Sequence, residues 1–528
     1  MWKMLIVLIL LTGCAAVAAP IEPTAADRPA PPDRAALSNR AAPTPEERAV
    51  DRVIEIDAAL NPHPISPLIY GVSGASPEIL QGLRPTLNSW GGNPSTRYNW
   101  QIGNAWNSGS DWFYRNGDYG VRGNAFAQFV TDTTAISAAM RVALPTLGWV
   151  AKNNNNATCS FPLRNGDCGN ANGATCEHPG DIANPLAANV SSTITSTVTW
   201  VKQMQGRVPF FAMDNEPELW GYTHYDVHPT CTTYEEILSK YLEYASAVRE
   251  AAPQAQLLGP VTCCWYFYWN SAAGEGDKAA HNDMDFLPWF LQQVRQYDRR
   301  RATRTLDVVD VHFYPEGLYN DKADAETAAH RLRATRSLWD GSYTDESWIS
   351  QPIALIPRLQ QAIDQNYPGL KIGISEWNFG ADKTMNGALT IADVLGTYGR
   401  EGVYLAAYWM YPPLDSPGYF AFKLYSNYDD QGSRFGGNAL STHVKLDDAV
   451  RAYTAFDQAA QRLQVMLINT DEQHDLSARL DLKNLPTFTQ AAIYRYSAAQ
   501  PDRLVRQPMA WTDYIDLPAS SITLLVAE

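Results

Sequence analysis

From residue 68 onward the chain repeats one arrangement: a short apolar run, a turn, a helix-length stretch, then another apolar run. The runs occupy 68–74, 87–93, 142–150, 210–215, 257–263, 306–313, 371–377 and 403–410. Short apolar runs bounded by turn residues read as strands. The stretches between them have a different period: in 234–252, Ile237, Leu238, Tyr241, Leu242, Ala245 and Val248 recur at helical spacing. Strands alternating with helices over about 350 residues predict an α/β fold, a (β/α)8 TIM barrel. An open doubly wound sheet is the competing arrangement.

The texture changes after residue 455. Segments 463–468, 477–482, 491–496 and 522–526 read as strands separated by Asn, Asp and Pro turns, which predicts a small C-terminal β-sandwich. Near the start, Val53-Ile54-Glu55-Ile56-Asp57 alternates like a strand and is expected to join that sandwich, because chain termini commonly lie close together. The expected boundaries are therefore a leader at 1–19, a tether at 20–48, an N-terminal strand segment at 49–62, a catalytic barrel at 63–440 and the sandwich at 441–528.

The leader carries Lys3 and an apolar run over 4–19, shorter than the roughly 20 residues that span a bilayer. It reads as a signal peptide. Leu11-Thr12-Gly13-Cys14 resembles a bacterial lipobox, with Cys14 the lipidated residue; cleavage near Ala16, Ala18 and Ala19 is the alternative. Either route exports the protein, to the bacterial cell surface or the medium. The stretch 20–48 is rich in Pro and Ala and nearly devoid of large apolar side chains, as in an extended tether.

Composition narrows the partners. The 528 residues are 45% hydrophobic and 18% charged, which a packed core requires, and the net charge of −15 argues against nucleic acid or anionic lipid as a partner. Contact with a membrane is expected only through the N-terminal lipid, and the body is expected to be a monomer. The 16 Trp, 27 Tyr and 16 Phe supply faces on which sugar rings stack, so a carbohydrate partner fits.

Apart from Cys14, the cysteines are Cys159, Cys168, Cys176, Cys231, Cys263 and Cys264, an even number in an oxidising compartment. Disulfides are expected. A zinc knot at 159–176 lacks any C-x-x-C pair. Adjacent Cys263 and Cys264 are expected to pair elsewhere or to leave one thiol free, since bridging neighbours demands a strained turn. His224, His228 and Cys231 suggest a second zinc reading, but Pro229 breaks any helix that would align them.

Several strands end in polar or aromatic residues, where a barrel enzyme keeps its site. The fourth runs into Asp214-Asn215-Glu216-Pro217, and the seventh delivers Ser375-Glu376-Trp377. Taken alone, Glu216 can cap the next helix and Glu376 can serve a buried ion pair. Two carboxylates at one mouth of one barrel are what glycoside hydrolysis needs: one protonates the leaving oxygen and the other attacks or activates water. Asn215 is placed to bond a sugar hydroxyl or the other carboxylate. Trp90, Trp220, Tyr314, Trp377 and Trp409 stand at or just past strand ends as candidate sugar platforms, although each Trp is individually as compatible with core packing. His312 is expected in the floor, polarising a sugar hydroxyl or holding Glu376. Asp214, Glu218 and Glu316 read as supporting or solvated carboxylates.

Four ordered motifs resemble glycoside hydrolase family 44: Trp90-Gly91-Gly92-Asn93 with Tyr98-Asn99-Trp100; Asp214-Asn215-Glu216-Pro217-Glu218-Leu219-Trp220 with Asp226-Val227-His228-Pro229; Asp310-Val311-His312-Phe313-Tyr314-Pro315-Glu316; and Ile374-Ser375-Glu376-Trp377. The resemblance spans about 53–528. It implies an endo-acting β-glucanase of barrel-plus-sandwich type that retains anomeric configuration, with Glu216 as acid/base and Glu376 as nucleophile. It also implies a structural calcium, whose ligands no D-x-D-x-D-G array names here, and no cofactor for the chemistry itself. The segment 159–176 does not match the family pattern. The resulting expectation is a β-1,4-glucan hydrolase acting on cellulose-like chains and xyloglucan. Its rivals are a xylanase or mannanase of the same clan, and a non-catalytic surface polysaccharide-binding lipoprotein, which would have no use for paired carboxylates.

Overall fold

The structure, a computed structural model, describes residues 51–204, 206–445 and 449–528. The leader, Cys14 and the 20–48 tether lie outside the described residues. No helix among the described residues is long and apolar enough to cross a membrane.

Eight parallel strands close into a barrel in chain order: Gly71–Ser73, Leu87–Trp90, Ala139–Leu144, Phe210–Met213, Gln256–Thr262, Val308–Phe313, Lys371–Trp377 and Leu405–Tyr408. The expected barrel is thus the observed fold. Alternation along each strand divides its side chains. Leu87, Ala143, Phe210, Ala212, Leu258, Val308, Leu405 and Ala407 fill the interior, while Val142, Phe211, Leu257, Val309, Val311, Ile372 and Ile374 face the surrounding helices. Several of those helices begin at a side-chain cap. Thr233 accepts the N–H of Glu236 at 3.2 Å to start Tyr234–Ala251, whose Ile237, Leu238, Tyr241, Ala245 and Val248 are buried. Full burial of an Ile, Leu or Val side chain there stabilises the fold by about 1.5–3 kcal/mol.

The third run is corrected. Its first residues end the barrel strand Ala139–Leu144, and beyond Pro145 a separate strand, Trp149–Ala151, pairs with Asn189–Ser191. Proline has no N–H with which to continue the ladder.

Two sheets form the sandwich. One has the order Ser441–Lys445, Arg52–Asp57, Leu476–Lys483, Tyr514–Leu517; the other runs His63–Pro64, Asn438–Ala439, Val450–Asp457, Arg462–Asn469, Ser521–Ala527, Gln490–Ser497, Gln500–Ala510. The N-terminal strand lies between Ser441–Lys445 and Leu476–Lys483. His63–Pro64 and Asn438–Ala439, which the sequence reading put in the barrel segment, pair with each other at the edge of the seven-stranded sheet. The strand Arg462–Asn469 is buried on both faces: Leu463, Val465 and Leu467 meet Ile54, Ile56 and Leu480 inside the sandwich, while Met466 and Ile468 join the barrel core. Tyr453 packs against Gly396 of the helix Met385–Arg400 and donates to Asp393 at 2.6 Å, which fixes the sandwich to the back of the barrel.

Disulfides join Cys159 to Cys168 and Cys176 to Cys231. The remaining two cysteines bridge each other, Cys263 to Cys264, correcting the expectation that they pair elsewhere. The backbone turns at Cys264, with φ 42°, and the other four cysteines already have partners.

Candidate active site

The fourth strand hands its last turn to a strained backbone. Asp214 and Glu216 both adopt left-handed φ, 70° and 44°, a conformation that costs an L-residue about 1–2 kcal/mol. Two sets of hydrogen bonds hold it. The buried Asp214 carboxylate accepts from Thr96 Oγ1 at 2.7 Å, Thr146 N at 2.6 Å, Thr146 Oγ1 at 2.8 Å and Leu147 N at 3.1 Å. The Glu216 N–H donates to the Val261 carbonyl of the next barrel strand at 3.0 Å. Glu216 is thereby set at the barrel mouth.

The seventh strand reaches the same place by a bulge. Ile372 and Ile374 face outward, so strict alternation would turn Glu376 outward too; a register shift against the sixth strand between Ile374 and Glu376 reverses the parity. Asp310 supports the bulge by accepting the Ser375 N–H at 3.0 Å. Glu376 therefore faces the mouth, and Trp377 turns into the core.

His312 stands between the two carboxylates. Its Nδ1 is 2.8 Å from Glu216 Oε1 and 3.4 Å from Glu376 Oε2, and Tyr314 donates to Glu376 Oε2 at 2.9 Å. One donor atom from each of Glu216, His312 and Glu376 lies within 4.8 Å of the others. Burial raises the Glu376 carboxyl to about 7, with the charge of His312 opposing and that of Glu216 adding to the shift. Burial works against a charged His312, yet the Glu376 charge and the hydrogen bond to Glu216 outweigh it and hold the imidazole at about 8. The trio therefore keeps an imidazolium beside the Glu376 carboxyl.

Asn215 accepts from the Gly92 N–H at 3.1 Å and donates to Asn93 Oδ1 at 3.1 Å, and Asn93 donates to Asp111 Oδ2 at 2.7 Å. Its amide is thus fixed beside Glu216. The half-buried Trp409 ring lies over Gly92, whose missing Cβ makes room for the indole. Glu216, Glu376, Asn215, His312, Tyr314 and Trp409 are therefore brought together at one mouth.

The other three tryptophans are corrected from platforms to core. Trp90, 8% exposed, faces outward on its strand amid Tyr98, Tyr119, Phe126 and Phe129. Trp377, 0% exposed, is wedged between Tyr398 and Tyr408. Trp220, 1% exposed, folds inward against His228.

Sequence reasoning missed Arg141 and gave Asp310 no role. Their side chains are fully buried and paired at 3.0 Å inside the barrel, and Arg141 also donates to Ser89 at 3.3 Å. A Cβ on Gly91 would stand 2.9 Å from Arg141 Nη1 and 3.9 Å from Glu376 Oε1, so a side chain there would crowd the approach of the guanidinium to the carboxylate. The available signal was a charged residue at an inward position of a barrel strand.

Glu218 is a third carboxyl in the same turn. It is fully buried, accepts the Cys263 N–H at 2.5 Å, and is raised to about 8 by burial and then by the Glu216 charge. Because its folded pKa is raised, its contribution to stability is complete below the ordinary value of 4.5 and is lost as pH rises toward 8. Glu218→Gln has no such loss. Its thermal midpoint is expected to rise relative to wild type between pH 5 and pH 8, with a slope of at most about 1.4 kcal/mol per pH unit. Parallel melting curves for the two proteins across that range would contradict it.

The cysteines of both zinc readings are in disulfides instead, Cys159 with Cys168 and Cys176 with Cys231, and His228 pairs with Glu236 at 2.8 Å. For the implied calcium, only Glu216, His312 and Glu376 bring three His, Cys, Asp or Glu donors together among the described residues. Two carboxylates and an imidazole do not fit a cation that takes about six to eight oxygens, so this trio is not the calcium site that the resemblance implies.

Comparison with known proteins places the site in context. The model of glycoside hydrolase family 44 matches residues 105–317. CelM2, a bifunctional glucanase-xylanase from a metagenome library, is 32% identical, with 91% of this chain and 99% of that chain covered at a TM-score of 0.85. A Paenibacillus polymyxa xyloglucanase from family 44 is 25% identical, with 91% and 100% covered at 0.78. Endoglucanase A of Paenibacillus lautus is 28% identical over 480 residues, covering 83% of this chain and 66% of that protein. Beta-mannanase/endoglucanase A of Caldicellulosiruptor saccharolyticus is 27% identical over 489 residues, covering 83% of this chain. The chain spans 36% of the length of that last protein.

Proposed function

The chain belongs to glycoside hydrolase family 44, and on that premise we propose that it is a retaining, endo-acting hydrolase of β-1,4-glucan backbones, cellulose-like chains and xyloglucan among them. The observation that carries the mechanism is the spacing of its carboxyls. One oxygen of Glu216 and one of Glu376 lie within 4.8 Å of each other, which favours the ~5–5.5 Å carboxyl separation of retaining enzymes over the ~6.5–9.5 Å that seats an inverting water.

In the reactive form Glu216, as the acid, carries a proton. Glu376 is the anion, stabilised by the Tyr314 hydroxyl and by the charges of His312 and Arg141. Glu376 attacks the anomeric carbon while Glu216 protonates the departing oxygen. The glycosyl ester is then hydrolysed by a water that Glu216 deprotonates, returning both carboxyls to their starting states. Asn215 is fixed where it can bond a hydroxyl of the sugar being cleaved, and Trp409 offers it a face.

The leader-like N-terminus and the disulfides support action outside the cytoplasm, with Cys14 as the lipid attachment point. The names of the relatives keep xylan and mannan in view as additional substrates. Reducing-sugar release from carboxymethyl cellulose, xyloglucan, xylan and mannan, with proton NMR of the first anomer released from a cello-oligosaccharide, tests the reading. The fastest release is expected on a β-glucan, with the β-anomer first. The α-anomer first, or release from none of the four polymers, overturns it.

A further inference from the structure

We propose that the Cys263–Cys264 disulfide, together with Leu219 and Tyr266, is the floor of a binding subsite for the sugar that leaves on the Glu216 side of the cleft. The proposal rests on the glycosidase reading above. The adjacent cysteines fall immediately past the fifth barrel strand, which ends at Thr262, and so at the catalytic mouth. Cys263 is buried, whereas Cys264, Leu219 and Tyr266 are each partly exposed. All four belong to one apolar cluster with Tyr222 and Phe267, away from the main core.

Two bonds join this surface to the acid/base turn. The Cys263 N–H donates to Glu218, two residues from Glu216, and the Glu216 N–H donates to Val261, two residues before Cys263. The platform and the proton donor therefore form one unit.

The position around the barrel decides which sugar it meets. Trp409 follows the eighth strand and Gly92 the second, and Asn215 bonds toward Gly92 and Asn93. The sugar attacked by Glu376 is held on that arc. The fifth strand lies on the other arc between Glu216 and Glu376, beside the fourth, so a sugar leaving past Glu216 passes over it.

The surface chemistry suits a pyranose. The C–H face of a β-linked glucose is apolar and packs on polarisable sulfur and aromatic carbon by dispersion. The rim is polar: the exposed Glu177 carboxylate lies beside Tyr222, where a neighbouring hydroxyl can meet it. The residue before it, Cys176, is bridged to Cys231.

A simple staple would show itself differently from a subsite, and the cleavage position in a reducing-end-labelled cellohexaose separates the two. In the full-length Cys263→Ala/Cys264→Ala double variant, weaker binding on the leaving side should move cleavage toward the reducing end. The loss in kcat/KM on cellohexaose should also exceed the loss on a dinitrophenyl cellotrioside, which has no leaving sugar, by about tenfold or more. Tyr266→Ala, which leaves the disulfide intact, should shift cleavage in the same direction. An unshifted pattern in the double variant with equal losses on both substrates overturns the proposal. If the double variant does not fold, an unshifted pattern in Tyr266→Ala overturns it alone. Inert wild-type enzyme on both substrates would instead sink the glycosidase reading on which the proposal stands.

Discussion

Glu376→Ala is expected to lose activity on every β-glucan and every aryl β-glucoside by about 10⁴-fold or more, near 5.5 kcal/mol in the barrier. The reason is the kind of step removed. In the proposed mechanism Glu376 forms the covalent bond to the anomeric carbon, and a more acidic leaving group does not replace a missing nucleophile. The loss should therefore be as deep on a dinitrophenyl glycoside as on cellohexaose. It should also come without loss of fold, because the carboxyl is buried with Oε1 unpartnered and is raised to about 7 by that burial. A folded variant retaining one per cent of wild-type turnover on the dinitrophenyl substrate would remove Glu376 from the role.

What the sequence disclosed follows from the range of the interactions involved. Period-2 and helical patterns are local, so the eight barrel strands and the helix Tyr234–Ala251 were legible, as were the two carboxylates that end the fourth and seventh strands. The tryptophans failed where parity changed without a local sign. Trp377 would face the mouth on strict alternation, but the bulge supported by Asp310 turns it into the core. Trp90 obeys alternation, and it faces outward because Ser89 takes the inward place beside Arg141. The pairing of Arg141 with Asp310 joins residues 169 apart in sequence and leaves no trace in either segment. Cys263 and Cys264 were misjudged for a different reason: the argument against bridging neighbours left out the left-handed turn at Cys264, next to a Cys263 N–H that Glu218 holds from the preceding strand's loop.

Glu216→Ala should fail in a different way, and that difference assigns the two roles. An acid/base assists departure in the first step and deprotonates water in the second. A dinitrophenolate leaves with little protonation, so glycosylation of Glu376 should survive on that substrate while hydrolysis of the ester becomes slow. The expected kinetics are a burst of dinitrophenol followed by a steady rate at least about 10²-fold below wild type, with a much deeper loss on cellohexaose. Azide needs no deprotonation. It should enter the space vacated by the carboxylate and raise the steady rate, and because it attacks the ester from the face that the leaving group left, the product should be the β-glycosyl azide. In Glu376→Ala, azide can act only from the opposite face, in place of the missing carboxylate, and any product should be the α-azide. Proton NMR of the two azides decides the assignment: the α-azide from Glu216→Ala and the β-azide from Glu376→Ala would exchange the roles of the residues, and no azide rescue in either would leave the covalent route without support from this test and count against it.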